Sequence, residues 1–579
     1  MGLRRAARAA VARLHTASKS FGVGEHALGA ADGLTTTLAA SGVAPLCRRF
    51  FAGGSGAQQP DVIVVGAGHN GLVAASLLAQ QGLRVEVYDE KGVVGGACRT
   101  EYPFKKLPGM PQSTGAYLLG VMPPELHNLL DLDLPLRRRD PHYFLPTTGD
   151  KYLLLGSDAE ATRDQFTKFF SQGDWDAHQA LNAELEAFRQ DVGRTWLQDP
   201  LSIEETAERF VRPPLRQAFV DLCRGSVGAY LGRFGFKSEL LQAMYATTDG
   251  FSGLNGSWDT PGTGMNFLLH NMCRLPGADG TWMVVAGGMG TVTQRLAASA
   301  MRAGATIRTG QGISSILTKG GSAAGVVLAD GTERRAQAVL VNADPFRLRQ
   351  LVEAGGGSFP AALNARLEGM RKDGTTMKVN LALRALPKFT CLPEDHGQHR
   401  TTSHLLPGAE RGALAELQRA FDDVQAGKLP EHPTIEIYFQ TTVDPTMTDA
   451  EGHHSAALFV QWVPYEIAGS SWEAEEEGYV RHLLGLLDRF APGASDLVAD
   501  TFTLTPPGIE RHFGITRGHI HHVDNSFGFA DRFPYRTPVQ GLYSCSAGTH
   551  PGGSVIGCAG HNAAAALVKD LGLQQWWRA

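Results

Sequence analysis

Residues 61–99 read DVIVVGAGHNGLVAASLLAQQGLRVEVYDEKGVVGGACR, and the rest of the chain has to be arranged around them. The spacing predicts an apolar strand over 62–65, a tight turn, and a helix with Leu72, Ala75, Leu78 and Ala79 on one side. A second strand follows over 84–88 and ends in Asp89. The turn holds Gly66, Gly68 and Gly71 as G-x-G-x-x-G. Gly66 makes the turn, Gly68 lets a pyrophosphate approach the backbone, and Gly71 lets the helix pack close to the strand. The helix N-terminus offers free N–H groups and partial positive charge to phosphates. Asp89 stands 23 residues after Gly66, within reach of the ribose hydroxyls. The competing reading is a tight β–α turn without a ligand. The flanking strand and helix, and an acid at this distance, favour a dinucleotide. A second glycine pair, Gly95-Gly96, precedes Arg99 and points to FAD rather than NAD.

Residues 1–55 differ in texture. Arg4, Arg5, Arg8, Arg13 and Lys19 lie among alanines, and Glu25 is the first acid. A basic, acid-poor segment of this kind reads as an organelle presequence and linker, for the mitochondrial matrix or alternatively a plastid. The net charge of −5 argues against a nucleic-acid partner. No apolar run reaches 18 residues, so no membrane span is expected. The seven cysteines form neither C-x-x-C nor a zinc spacing, and no dithiol centre close in sequence is expected.

Arg137, Arg138 and Arg139 read as a solvated cluster. Ser157 with Glu160 and Ser202 with Glu205 fit S-x-x-E capping boxes, in a region where Leu181, Leu185 and Phe188 keep helical spacing. Phe166, Phe169, Phe170 and Trp175 read as core, with a greasy cavity as the alternative. The Gly-rich stretch 247–264 is expected to be a long loop near a ligand, with Trp258 and Thr260 facing it. Strands are expected at 313–317, 325–328 and 338–341, with Asp330-Gly331 as a hairpin turn, and then a mixed region over 346–534. His519, His521, His522 and Asp524 invite a metal reading, as do His453 and His454, but the spacing is not that of a ligand set, and no metal is expected. Near the end, a strand over 542–544 leads into the turn 547–554 and a small-residue helix over 559–568. N–H groups at such a turn can stabilise an anionic reduced flavin. His550, beside this turn, is a weak candidate for a general base, and Tyr117 and His69 are weaker ones. Trp576 and Trp577 are expected to dock on the fold.

These segments together resemble the phytoene-dehydrogenase-like FAD oxidoreductases, a family that includes carotenoid desaturases and isomerases. The matching text is VVGAGHNGLVAA (64–75), GG (95–96), TPGTG (260–264), VVAGGMG (284–290), VNADP (341–345), QWVPYEIAG (461–469) and GLYSCSAGTHPGGSVIGCAGHNAA (541–564). The resemblance implies an α/β fold: a discontinuous Rossmann-like FAD-binding domain (59–140, 281–345 and 535–579) with an inserted mixed α+β substrate domain (141–280 and 346–534). It implies that Gly66, Gly68, Gly71, Asp89, Gly95, Gly96 and Arg99 hold the ADP half of FAD, with Ile313 at the adenine. Gly548, Ser554 and Val555 would face the isoalloxazine. The chain departs from the family in reading GGACR after the acid instead of GGR, and in having Ser554 where glycine is usual. The implied activity is FAD-dependent oxidation, with hydride leaving a C–C or C–N bond of a small apolar organic substrate for flavin N5 and an unidentified electron acceptor downstream. The alternatives are a flavin-dependent double-bond isomerase, or a flavin-stabilised binding protein for a mitochondrial partner.

Overall fold

Val62–Val65 is buried at all four positions, and such a strand needs cover on both faces. In the computed structural model, which describes residues 59–277, 280–406 and 412–578, it sits third in a five-stranded sheet. The order is Leu542–Ser544, Ala338–Val341, Val62–Val65, Val85–Tyr88 and Thr306–Arg308, with every pairing parallel. One face is covered by the helix His69–Gln80, itself packed between the helices Gly290–Arg302 and Cys558–Asp570. The last of these approaches so closely that a Cβ at Gly560 would stand 2.0 Å from the Asn70 carbonyl oxygen. The other face packs against the antiparallel strands Ile313–Lys319, Ser322–Leu328 and Glu333–Arg335 and the helix Pro345–Ala354, through Ile316, Val326, Val339 and Leu348.

A second sheet has seven strands, in the order Val498–Leu504, Thr376–Leu383, His454–Gln461, Thr434–Phe439, Thr402–Leu405, Tyr143–Pro146 and Tyr152–Leu155. Its period of two has a clear outcome. Met377, Val379 and Leu381, with Ile435, Ile437, Leu458 and Val460, pack against Leu483 and Leu487 of the helix Trp472–Phe490. The alternate residues Lys378, Glu436, Tyr438 and Phe459 face the opposite way, into a cavity. A helical layer built around Phe166, Leu181, Phe188 and Phe219 completes this half.

Several local expectations change. The helix Ala159–Phe169 is capped by Asp158, which accepts from the Glu160 and Ala161 N–H groups, while Ser157 instead donates to Asp140. Ser202 and Glu205 do form a capping box. Phe166 is core, with Phe170 and Trp175 packed against it. The stretch 247–264 is only partly a loop: a wide helical turn Ala246–Gly250 opens the region, and the helix Thr263–His270 begins within it. Trp258 packs over Gly228, where a Cβ would stand 2.4 Å from its indole nitrogen, and Thr260 Oγ1 accepts from the Ser257 N–H. Neither lines the cavity. Trp576 docks on the fold, its indole N–H pointing at the Leu77 carbonyl 3.5 Å away. No described helix is long and apolar enough to cross a membrane. The segment read as a presequence lies outside the described residues.

Candidate functional site

A single cavity of about 750 Å³ runs from the glycine turn to the seven-stranded sheet. It is lined by nine of the eleven residues expected to bind cofactor: Gly66, Gly68, Asp89, Gly95, Gly96, Arg99, Ile313, Ser554 and Val555. The other two sit behind it. A Cβ on Gly71 would stand 2.2 Å from the Gly66 carbonyl oxygen, so this glycine sets the approach of helix to turn. Gly548 is packed against Pro345.

The two loops are joined directly. The Gly95 N–H donates to the Ala67 carbonyl at 2.9 Å, and the Ala67 N–H donates to Asp89 Oδ2 at 2.7 Å. Burial raises the Asp89 carboxyl, against the opposing N–H groups of Lys91 and Ala67. Arg99 is fixed despite the altered GGACR spacing. Its Nε lies 3.1 Å from Glu101, its Nη2 lies 2.8 Å from His512 Nε2, and its guanidinium rests 5.1 Å from the Phe513 ring centroid. The lining residues His69, Asn70 and Tyr117 carry buried polar atoms (Nε2, Oδ1 and Oη) that have no hydrogen-bond partner among the described residues. Glycine turns, an acid at the ribose distance and unsatisfied polar atoms along one cleft fit a dinucleotide as long as FAD.

His550 does not fit the role of base. Its side chain is absent from the cavity lining, it is buried edge-on against Phe529 at 5.1 Å, and burial pushes the imidazole down to about 3. Ser554 does face the cavity, with φ of 144°, a region that favours glycine. Such a conformation costs a non-glycine residue ~1–3 kcal/mol, offset by ~0.5–1 kcal/mol of extra glycine entropy. Ser554→Gly is therefore expected to raise stability by about 1 kcal/mol without loss of flavin. Denaturant midpoints and flavin content check it; a lower midpoint would show that the serine is unstrained.

The far end of the cavity was not anticipated from the sequence. Arg139 turns inward, donating from Nε to the Trp282 carbonyl at 3.0 Å and from Nη1 to Thr402 Oγ1 at 2.7 Å, while Arg137 and Arg138 are exposed. Lys378 Nζ lies 4.3 Å and 4.5 Å from the ring centroids of Tyr117 and Phe459. Glu436 accepts from the Tyr438 hydroxyl, and Asp249 accepts from Asn271 Nδ2 at 3.1 Å. Burial lowers the Lys378 ammonium to about 7, against the charge of Glu436, and lifts the Glu436 carboxyl to about 7, against the Tyr438 hydroxyl. Burial likewise lifts Asp249 to about 7. Thr248, Asp249 and Ser252 are the members of 247–264 that meet the cavity. The available signal was a charge inside alternating strands, Lys378 in TMKVNLAL and Glu436 in TIEIYF.

The Glu436 shift has a sign that can be tested. A folded-state value above the ordinary 4.5 means that the folded chain binds the extra proton between 4.5 and about 7, so stability falls as pH rises through that window. Glu436→Gln is expected to gain stability relative to wild type from pH 5 to pH 7. Unfolding midpoints at both values check it, and an unchanged difference would count against the shift.

The family model of flavin-containing amine oxidoreductases matches residues 71–429. The chain belongs to the flavin-containing amine oxidoreductase family. It is a FAD-dependent oxidoreductase, with phytoene-desaturase-like relatives. Among this family's relatives, it is 33% identical to mouse (Mus musculus) pyridine nucleotide-disulfide oxidoreductase domain-containing protein 2, over 91% of this chain and 97% of that one. It is 25% identical to phytoene desaturase of Neurospora crassa, over 86% and 82%. Solved structures share the fold of this chain: an oxidoreductase from Methanosarcina mazei (TM-score 0.56, 18% identity, covering 88% of this chain and 99% of that one), and putrescine oxidase bound to putrescine (TM-score 0.54, 14% identity, 89% and 99%). Among the described residues of this family member, no cluster of three His, Cys, Asp or Glu is arranged to hold a metal. His519 and Asp524 pair with each other at 3.2 Å. The six described cysteines are buried and free.

Proposed function

We propose that this protein oxidises a small organic substrate at a C–C or C–N bond inside the cavity, and that it does so in the mitochondrial matrix. The observation that carries the reading is the continuity of one cavity from the glycine turn to the chamber walled by Tyr117, Lys378, Glu436 and Asp249. When bound, FAD supplies a two-electron acceptor that takes a hydride at N5.

The residues divide the work. The turn 66–71 and the N-terminus of the helix His69–Gln80 hold the pyrophosphate, Asp89 the ribose, and Gly95, Gly96 and Arg99 close over them, with Ile313 beside the adenine. Ser554 and Val555 set the floor of the isoalloxazine site. This assigns the five-stranded parallel sheet, drawn from 59–140, 281–345 and 535–579, to the cofactor. The seven-stranded sheet and helical layer, drawn from 141–280 and 346–534, form the substrate domain. Leu185, Met244, Phe267 and Phe459 exclude water from an apolar substrate body. Glu436 and Asp249, each poised near 7, can hold the proton released as the hydride leaves. The basic, acid-poor segment 1–55 supports the mitochondrial address.

The purified full chain, titrated without oxygen against amines, amino acids and lipids, tests the reading. Bleaching of the visible flavin absorbance by one class is the expected result. A flavin-loaded protein that no member of the panel reduces would overturn it. Fusion of residues 1–55 to a fluorescent protein tests the address, and diffuse fluorescence would reject it.

A further inference from the structure

We propose that Asn266 and Asn525 are positioning residues for the oxidation: two chained amides that hold the flavin-side turn 547–554 in register with the segment carrying Asp249. This rests on the oxidoreductase reading, which puts FAD between those two walls of the cavity. Both side chains are 0% exposed, and neither lines the cavity. Asn266 belongs to the helix Thr263–His270, and Asn525 lies beyond the last strand of the seven-stranded sheet, on the way back to the parallel one. The amides are chained with no free choice of orientation. The Gly553 N–H can only donate, so the atom it meets at 2.8 Å is Asn525 Oδ1. Asn525 Nδ2 then donates to the Gly553 carbonyl at 3.2 Å and to Asn266 Oδ1 at 3.0 Å. That leaves Asn266 Nδ2 facing main-chain carbonyls alone: Asp249 at 2.8 Å, and Gly250 and Ser252 at 3.3 Å each. An inverted amide at either position would set oxygen against oxygen.

Both ends of this chain of bonds land on the cavity wall. Ser554 and Val555 follow Gly553 and line the cavity, as do Thr248, Asp249 and Ser252 at the other end. The wide turn Ala246–Gly250 departs from the α-helical ladder, and Asn266 ties its last carbonyls together. A Cβ on Gly553 would stand 2.5 Å from His521 Cα, so the flavin-side turn is seated against the segment that leads to Asn525. The Ser252 carbonyl also accepts from His521 Nε2 at 3.0 Å, a second tie to that segment. A fully satisfied buried network rigidifies one arrangement, whereas a broken one leaves costly unpaired groups. Two apolar side chains would fill the same volume and leave the register between the walls free. Hydride acceptance at one wall and proton holding at the other need that register, since a misplacement of about 1 Å can cost about 100-fold in rate.

The test uses the flavin-loaded protein and reads the flavin midpoint potential by reductive titration against a reference dye, which needs no substrate. Asn525→Ala is expected to disfavour the reduced flavin about 10-fold, a midpoint lower by about 30 mV for a two-electron couple, because the N–H groups of the turn lose their seating. Asn266→Ala, one amide further from the turn, is expected to disfavour it roughly 3-fold or more, and the double variant no further than Asn525→Ala alone. A merely structural Asn266 would cost stability and leave the midpoint where it is. Native-state hydrogen exchange on wild type is a second measurement that needs no variant to fold. Peptides covering 247–253 and 552–557 are expected to open together, with protection equal within about 3-fold across a urea series. An unmoved midpoint in a folded, flavin-loaded Asn266→Ala, additive shifts in the double variant, or segments that open independently would each overturn the proposal. A wild-type protein that retains no FAD would instead sink the oxidoreductase reading, and the exchange comparison would still decide whether the amides join the two segments.

Discussion

Gly71→Ala is expected to yield a protein that purifies without flavin colour. The added methyl would stand 2.2 Å from the Gly66 carbonyl oxygen and 3.1 Å from Asn342 Nδ2, and the first of these is backbone that cannot rotate away. Either the helix His69–Gln80 lifts from the turn or the turn itself moves. Overpacking of this kind costs roughly 1–3 kcal/mol. The larger loss is of binding, because the N–H groups that would meet the pyrophosphate in the proposed site belong to the displaced segment. Flavin content after purification and denaturant midpoints together check it. A yellow Gly71→Ala protein with an unchanged midpoint would show that the contact is absent in solution.

Arg532→Met should have the largest effect on stability. Arg532 is 2% exposed and donates to four main-chain carbonyls: Thr549 at 3.0 Å, Asp524 at 3.1 Å, Val523 at 2.9 Å and Ala547 at 3.0 Å. One guanidinium thus ties the turn 547–554 to the Val523–Asp524 segment. Burial lowers its affinity for the proton to about 10, and the charge of Asp524 acts the other way. Methionine keeps much of the volume and removes every donor. It leaves the Thr549, Val523 and Ala547 carbonyls unpaired, the Asp524 carbonyl keeping only the Phe527 N–H at 3.4 Å, and Asp524 without that positive neighbour, at a cost of roughly 3–5 kcal/mol. Urea unfolding of the variant should show a midpoint lowered accordingly, with faster flavin release. A midpoint like that of wild type would mean that water replaces the guanidinium.

The nucleotide end of the site was readable because glycines state backbone requirements within a few residues of one another. Gly66 to Asp89 needed only local spacing, and the strand, turn, helix and second strand stand where that spacing put them. The chamber was not readable in the same way. Arg139, Asp249, Lys378 and Glu436 come from four separate elements, and only strand pairing and the helical layer bring them together. Arg139 looked like one of three solvated arginines because nothing local says which of them turns inward. His550 failed for a related reason. Nearness in sequence to a ligand turn does not fix direction, and the chain there sends Ser554 and Val555, not the imidazole, toward the cavity. Trp258 and Thr260 were chosen from a glycine-rich stretch that proves to be one third helical, and two of its three inward residues, Thr248 and Asp249, come from the helical part.

The seven-stranded sheet separates two kinds of selection by the parity of residue number. At Met377, Val379, Ile435 and Ile437, side-chain volume is set by the helix behind, so change there alters folding. At Lys378, Glu436 and Tyr438, the neighbour is the cavity. Substitution on the cavity side can therefore change what the cavity admits while the scaffold stays the same, and a one-residue slip in any of these strands would trade one kind of position for the other.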